Sequence, residues 1–140
     1  MSGAREKRRV ILIVVLALLL GLGYWAFSVK VDLGESERYS SWDRILAVAD
    51  VRLNFLGMFG CRLERVYYAG DERSQAEYDY YSQHQQEMGR EFDECIVFHV
   101  DFHTPRATLS MNPDSDYIGW GYIMGRKNGG LWHVLTQGYG

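Results

Sequence analysis

The residues best equipped for chemistry lie in one short run, ECIVFHVDFH, which carries His99, Asp101 and His103. Side chains two apart on a strand point the same way, so this spacing sets two imidazoles and a carboxylate on one face. Such a set can ligate zinc or act as a His-Asp acid/base pair. Distance weighs against zinc: alternate strand residues are ~6.5–7 Å apart, whereas zinc wants donors ~2.0–2.2 Å from one centre. Further ligands would have to come from His84, Glu94 or His133. The trio also reads simply as the polar side of a half-buried antiparallel strand, which needs no function.

Cys61 and Cys95 are the only cysteines. In an oxidising compartment they can pair, closing a loop worth roughly 3–4 kcal/mol. Equally, they can be two separate half-buried thiols that begin two strands. No Cys-x-x-Cys or nucleophile motif surrounds either one, so a catalytic thiol is not indicated. Asn112, Asp114 and Asp116 copy the start of a calcium loop, but Tyr117 stands where the sharp-turn glycine belongs and Ile123 where the bidentate Glu belongs. Gly119, Gly121 and Gly125 do not form G-x-G-x-x-G and sit in a strand, so they bend a sheet or admit close packing rather than cradle phosphate. No G-x-S-x-G, H-E-x-x-H or P-loop occurs, and no cofactor is implied.

The elements that must position these residues are legible in the patterning. Residues 30–39 are polar and aperiodic and read as a linker. A helix opens at Ser40 or Ser41, with Trp42, Ile45, Leu46, Ala49, Leu53 and Leu56 as the stripe expected to face the core, and Gly57 and Gly60 end it. Cys61–Tyr68 suits a strand. Ser74 with Glu77 makes a capping box for a surface helix that Gly89 stops, with Tyr78, Tyr81 and Met88 on its attachment face. The alternation from Glu94 to His103 is the most strand-like in the chain. Tyr117–Arg126 and Leu131–Gln137 flank Asn128-Gly129, a turn that demands positive φ, so they form a closing β-hairpin. The expected fold class is α+β: residues 40–140 as a small domain of helices on a curved antiparallel sheet.

Composition places this domain. The chain has 140 residues, enough for one domain, with ordinary charged and hydrophobic fractions that exclude a disordered or disulfide-scaffold chain. Residues 1–9 form a basic tail with Arg5, Lys7, Arg8 and Arg9 against Glu6, whereas residues 29–140 hold 11 basic and 17 acidic side chains, a net −6. Between them, Val10 to Phe27 carry no charge. Extended to residue 29 this gives about 20 apolar residues, a helix of ~30 Å that spans the hydrocarbon core and meets membrane lipid. The run includes Val10 and Leu20 and ends in Tyr24, Trp25 and Phe27, rings that favour the interface. The basic tail puts the N-terminus in the cytoplasm and the domain outside. A cleaved secretory signal, with a shorter apolar stretch and Ala26-x-Ser28 as its cut site, is the competing reading and leaves the domain secreted. A domain of charge −6 gives nucleic acid no electrostatic footprint.

Two segments carry a resemblance. SMNPDSDYIGWGYIMGRKNGGLWHVLTQGYG, from Ser110, is similar to the closing motif of an uncharacterised family of exported, often membrane-anchored domains of Firmicutes: an Asn-Pro-x-Ser loop, a Trp-containing strand, an Arg-x-x-x-Gly-x-Trp hairpin and a terminal Gly-Tyr. LERVYYAGDERSQAE, from Leu63 to Glu77, resembles that family's Tyr-acid-x-x-Ser region. Such domains look like distant members of the nuclear-transport-factor-2-like, cystatin-related class, with N-terminal helices packed on a curved antiparallel sheet. The resemblance implies architecture and no reaction. Non-catalytic binding of an extracellular ligand or protein is therefore the expected function. The alternatives are a small hydrolase or isomerase using His99, Asp101 and His103, and a homodimeric scaffold.

Overall fold

The computed structural model describes residues 2–139. They fall into two compact units, one ending at Lys30 and one beginning at Val31. In the first, the uncharged run and the basic residues before it form one helix, α1 (Ser2–Phe27). The stretch Gly3–Phe27 is long and apolar enough to cross a membrane, and contains an 18-residue window of mean hydropathy 2.7, none of which is buried. A helix satisfies its own backbone, which is what hydrocarbon requires of a single spanning segment.

The second unit is α+β. Its sheet has the order β1-β2-β3-β4-β5, from β1 (Lys30–Asp32), β2 (Arg62–Tyr68), β3 (Glu94–His103), β4 (Asp116–Arg126) and β5 (His133–Gly138). Strands β2 to β5 pair antiparallel in sequence. At the β1 edge, however, Asp32 meets Arg65 at 3.6 Å and Gly34 lies against Tyr68, so both chains advance together and the sheet is mixed rather than wholly antiparallel. The expected 30–39 linker is thus partly an edge strand. Its far end is core: the Tyr39 ring is buried and its hydroxyl donates to the Cys95 carbonyl at 2.6 Å.

Helices cover both faces. α2 (Ser41–Phe55) is capped by Ser40 and Asp43 in a reciprocal box. It buries Ala47, Val48, Val51 and Phe55, with Phe55 edge-on to Phe102 at 5.4 Å. This is the face opposite to the one expected. At 100° per residue the helix carries two apolar stripes, and Arg44 settles which one turns inward. Its Nη1 donates to the carbonyls of Leu33 at 2.8 Å and Gly34 at 2.6 Å, pinning the helix to the segment after β1. The even-numbered β3 residues Phe98, Val100 and Phe102, with Val66, Tyr122 and Met124, complete that core.

On the other face lies α3 (Asp71–Tyr81), followed by a 3₁₀ turn (Ser82–His84) and α4 (Gln85–Met88), which Gly89 closes in the left-handed region. α3 starts earlier than its apparent capping box. Ser74 is inside the helix, fully buried, and accepts from the Val97 backbone N–H at 3.1 Å. The closing hairpin has the expected turn: Asn128 and Gly129 both take positive φ, and the Gly130 N–H donates to the Lys127 carbonyl. Leu131 and Trp132 leave the ladder, and Trp132 folds inward edge-on to Tyr39 at 5.5 Å.

Candidate functional site

The α3 side of the sheet holds the polar trio. α3 packs on β3 with its Ser74 hydroxyl on the Val97 N–H, and beside that contact Val97 and His99 face a hollow of about 260 Å³. Its walls are Arg73, Glu77, Tyr80 and Tyr81 from α3, His99 from β3, and the Gly119–Gly121 and Gly138–Tyr139 segments. α3 is held in place by Asp71, whose carboxylate accepts from the Tyr68 hydroxyl at 2.6 Å, the Ser36 hydroxyl and the Glu37 backbone N–H at 2.8 Å. Burial alone would raise the Asp71 carboxyl, but these donors outweigh it and hold it below the usual carboxylate range.

His99, Asp101 and His103 do share a face, yet the structure gives each a different employment. The His99 ring stands edge-on to Tyr67, centroids 5.5 Å apart. Desolvation, and then the Arg73 cation, push its pKa below 6.5, so the imidazole is neutral. Asp101 accepts from the Gly119 backbone N–H at 2.9 Å. Gly119 takes φ +73, beside the irregularity that shifts the β3–β4 register between Val100 and Phe102. A side chain there would be strained, so this glycine is what lets the strand present its amide to the carboxylate.

His103 is a clamp. Nδ1 meets Asp116 at 2.6 Å and Nε2 meets Asp114 at 2.9 Å, and these two carboxylates raise its pKa above 6.5. As an imidazolium it donates from both nitrogens. Beside it the buried Thr104 donates its hydroxyl to the Asn112 carbonyl at 2.7 Å and accepts from the Ser115 N–H at 2.9 Å. Together they close the loop between β3 and β4. The Asp-x-Asp spacing that resembled a calcium loop therefore serves a histidine. The trio does not converge, since His99 and His103 are four strand residues apart, roughly 13 Å. Among the described residues no three His, Cys, Asp or Glu side chains come together around a metal position.

Of the two readings of the cysteines, the structure has the separate thiols and not the pair. Cys61 precedes Arg62, which pairs with His103, whereas Cys95 pairs with Gly125 near the opposite end of β3. Eight strand residues separate those levels, roughly 26 Å, against the ~7 Å limit for a disulfide. Both are free thiols. Burial pushes Cys95 up to about 12 and raises Cys61 as well, so neither is a poised nucleophile.

Arg126 is the residue that sequence reasoning passed over. Its Nε donates to Glu94 at 2.5 Å and its Nη1 to Asp43 at 2.7 Å, and its guanidinium lies 4.2 Å over the Trp132 ring. Spacing carried the signal: Arg-x-x-x-Gly-x-Trp sets Arg126 and Trp132 on the two arms of the hairpin. A larger hollow of about 880 Å³ opens beside residues 82–91, lined by that one contiguous stretch of chain alone. The described chain is thus an apolar helix plus an α+β domain whose polar face is largely engaged in holding its own loops. Comparison with protein-family models, with curated proteins and with solved structures returned no match.

Proposed function

We propose that this protein is a single-pass membrane protein, N-terminus in the cytoplasm, that displays a non-catalytic binding domain outside the cell. The observation that carries the non-catalytic reading is the separation of the trio: His103 is committed to Asp114 and Asp116, and Asp101 to the Gly119 amide. A general acid or base must itself have a free position within hydrogen-bond reach of the proton it moves. Among the described residues no carboxylate is hydrogen-bonded to the His99 ring, although Asp101 and Glu77 act on it through space. The basic residues in the first turns of α1 and the acidic balance after it support the orientation. The likeness to the nuclear-transport-factor-2-like class belongs to this proposal too.

The second reading is a small hydrolase or isomerase, favoured by the hollow against His99 and Arg73. Cells displaying the full chain decide between them when assayed with chromogenic ester, phosphate and glycoside substrates. The binding reading expects no turnover above that of cells displaying His99→Ala. Turnover that disappears in His99→Ala would overturn it. For topology, protease added to intact cells should remove a C-terminal tag and leave an N-terminal one, and the intact mass of the purified chain should retain residues 1–28. A chain shortened by that segment would establish secretion after cleavage instead.

A further inference from the structure

The outer face of α2 is the most conspicuous surface left unused. Trp42, Ile45, Leu46, Ala49, Leu53 and Leu56 follow one another at three- and four-residue steps and make a stripe ~100° wide. Trp42 is 66% exposed, Leu53 58% and Leu56 59%, and Phe59 just beyond them is 90% exposed. None of the fully exposed residues from Ser41 to Gly60 is charged. These side chains leave roughly 600–700 Å² of apolar surface in water, above the ~300–600 Å² of a monomer's largest patch and near the ~800 Å² each partner brings to a standard interface.

The chemistry of the stripe selects its occupant. A helix that lies on lipid carries Lys and Arg along its flanks to meet anionic headgroups. Here Arg44 and Arg52 are buried, and the chain after α1 carries −6. A second copy fits better, because four residues of the stripe are arranged symmetrically about its small central residue, Leu46 alone mirroring the buried position 52. Trp42 lies seven residues before Ala49 and Leu56 seven after, while Ile45 lies four before and Leu53 four after.

We propose that α2 pairs antiparallel with α2 of a second copy about a two-fold axis through Ala49, Trp42 packing on the partner's Leu56 and Ile45 on the partner's Leu53. Two-fold interfaces are self-complementary in this way, and alanine at the crossing lets the helix axes approach to ~8 Å, the close end of helix packing. With no exposed charge on the stripe, the pairing sets no like charges against each other. The inference rests on the reading that the domain acts by binding a protein outside the cell. A shared membrane would raise the effective concentration of the copies.

The test uses the full chain in detergent micelles with Cys61→Ser as background. Ala49→Cys should cross-link to a dimer under mild oxidation at least ten times faster than Asn54→Cys, which is exposed on the same helix but ~140° around it. Separately, Leu53→Glu should halve the protein mass measured by light scattering and leave the circular dichroism unchanged, because Leu53 supports no core. Equal cross-linking at 49 and 54, a wild-type chain with the mass of one copy, or a dimer that survives Leu53→Glu would overturn the proposal. Topology and turnover are measured independently of these masses, so the dimer and the binding reading fail separately.

Discussion

His103, with a carboxylate on each ring nitrogen, and His99, neutral against Tyr67, respond to acid in opposite senses. His103 has its folded pKa raised, so its contribution to stability is complete below about 6.5 and is lost as pH rises through the raised value. His99 has its folded pKa depressed. Its contribution is complete above about 6.5 and is lost as pH falls through the lowered value. Imidazole resonances followed by NMR should therefore titrate on opposite sides of 6.5, His103 above and His99 below. His103→Gln should remove the higher transition and speed hydrogen exchange at the Asp114 and Ser115 amides. An unchanged exchange rate there would deny the clamp its role. The thiols give a second residue-scale expectation: in denaturant, two thiols per chain should label with or without reductant. In the native state Cys61 should label much faster than the fully buried Cys95.

Among the elements, the closing hairpin shows how a few side chains hold three pieces together. Arg126 joins the first turn of α2, the start of β3 and the Trp132 arm. Arg126→Met leaves Asp43 and Glu94 facing each other without their shared cation, at a cost of about 2–3 kcal/mol. Arg126→Lys should recover less than half, because an ammonium cannot fork between two carboxylates and stack on an indole at once. Thermal melts followed by near-ultraviolet circular dichroism measure both, and equal melting of Arg126→Met and wild type would refute the assignment. At the neighbouring position, a Cβ on Gly125 would stand 2.9 Å from Leu135 Cδ1 and 3.0 Å from Phe92 Cβ. Gly125→Ala should therefore destabilise by about 1–3 kcal/mol through overpacking, read from the same melts.

At the scale of the molecule, the apolar helix and the domain are separate compact units with separate sources of stability. The helix satisfies its backbone internally and from Val10 onward carries almost only hydrocarbon, whereas the domain depends on a core packed on both faces of its sheet. Substituting Leu16 and Leu20 by Arg places two charges near the middle of α1, each costing ~2.5–3.5 kcal/mol in hydrocarbon. The doubly substituted chain should move from the membrane pellet to the supernatant in alkaline carbonate extraction. Continued pelleting would mean that something other than α1 holds the protein to the membrane.

Local order was legible wherever one stretch of chain contains both the pattern and its cause. The uncharged run of α1, the alternation of β3, the Asn128-Gly129 turn and the Gly89 stop are all of this kind, because helix, strand and turn preferences act over a few residues. The sequence also placed His99, Asp101 and His103 on one face, since a strand's period of two needs no partner to set it. Partnership between distant segments lay beyond it. Which stripe of α2 turns inward depended on the carbonyls of Leu33 and Gly34 receiving Arg44, and the distance between Cys61 and Cys95 depended on the β2–β3 register. The role of His103 depended on two aspartates brought back by the loop after β3, and Ser74 looked like a cap until Val97 claimed its hydroxyl. Each is a long-range contact between groups that local patterning leaves equivalent, so only the packed tertiary structure selects among them.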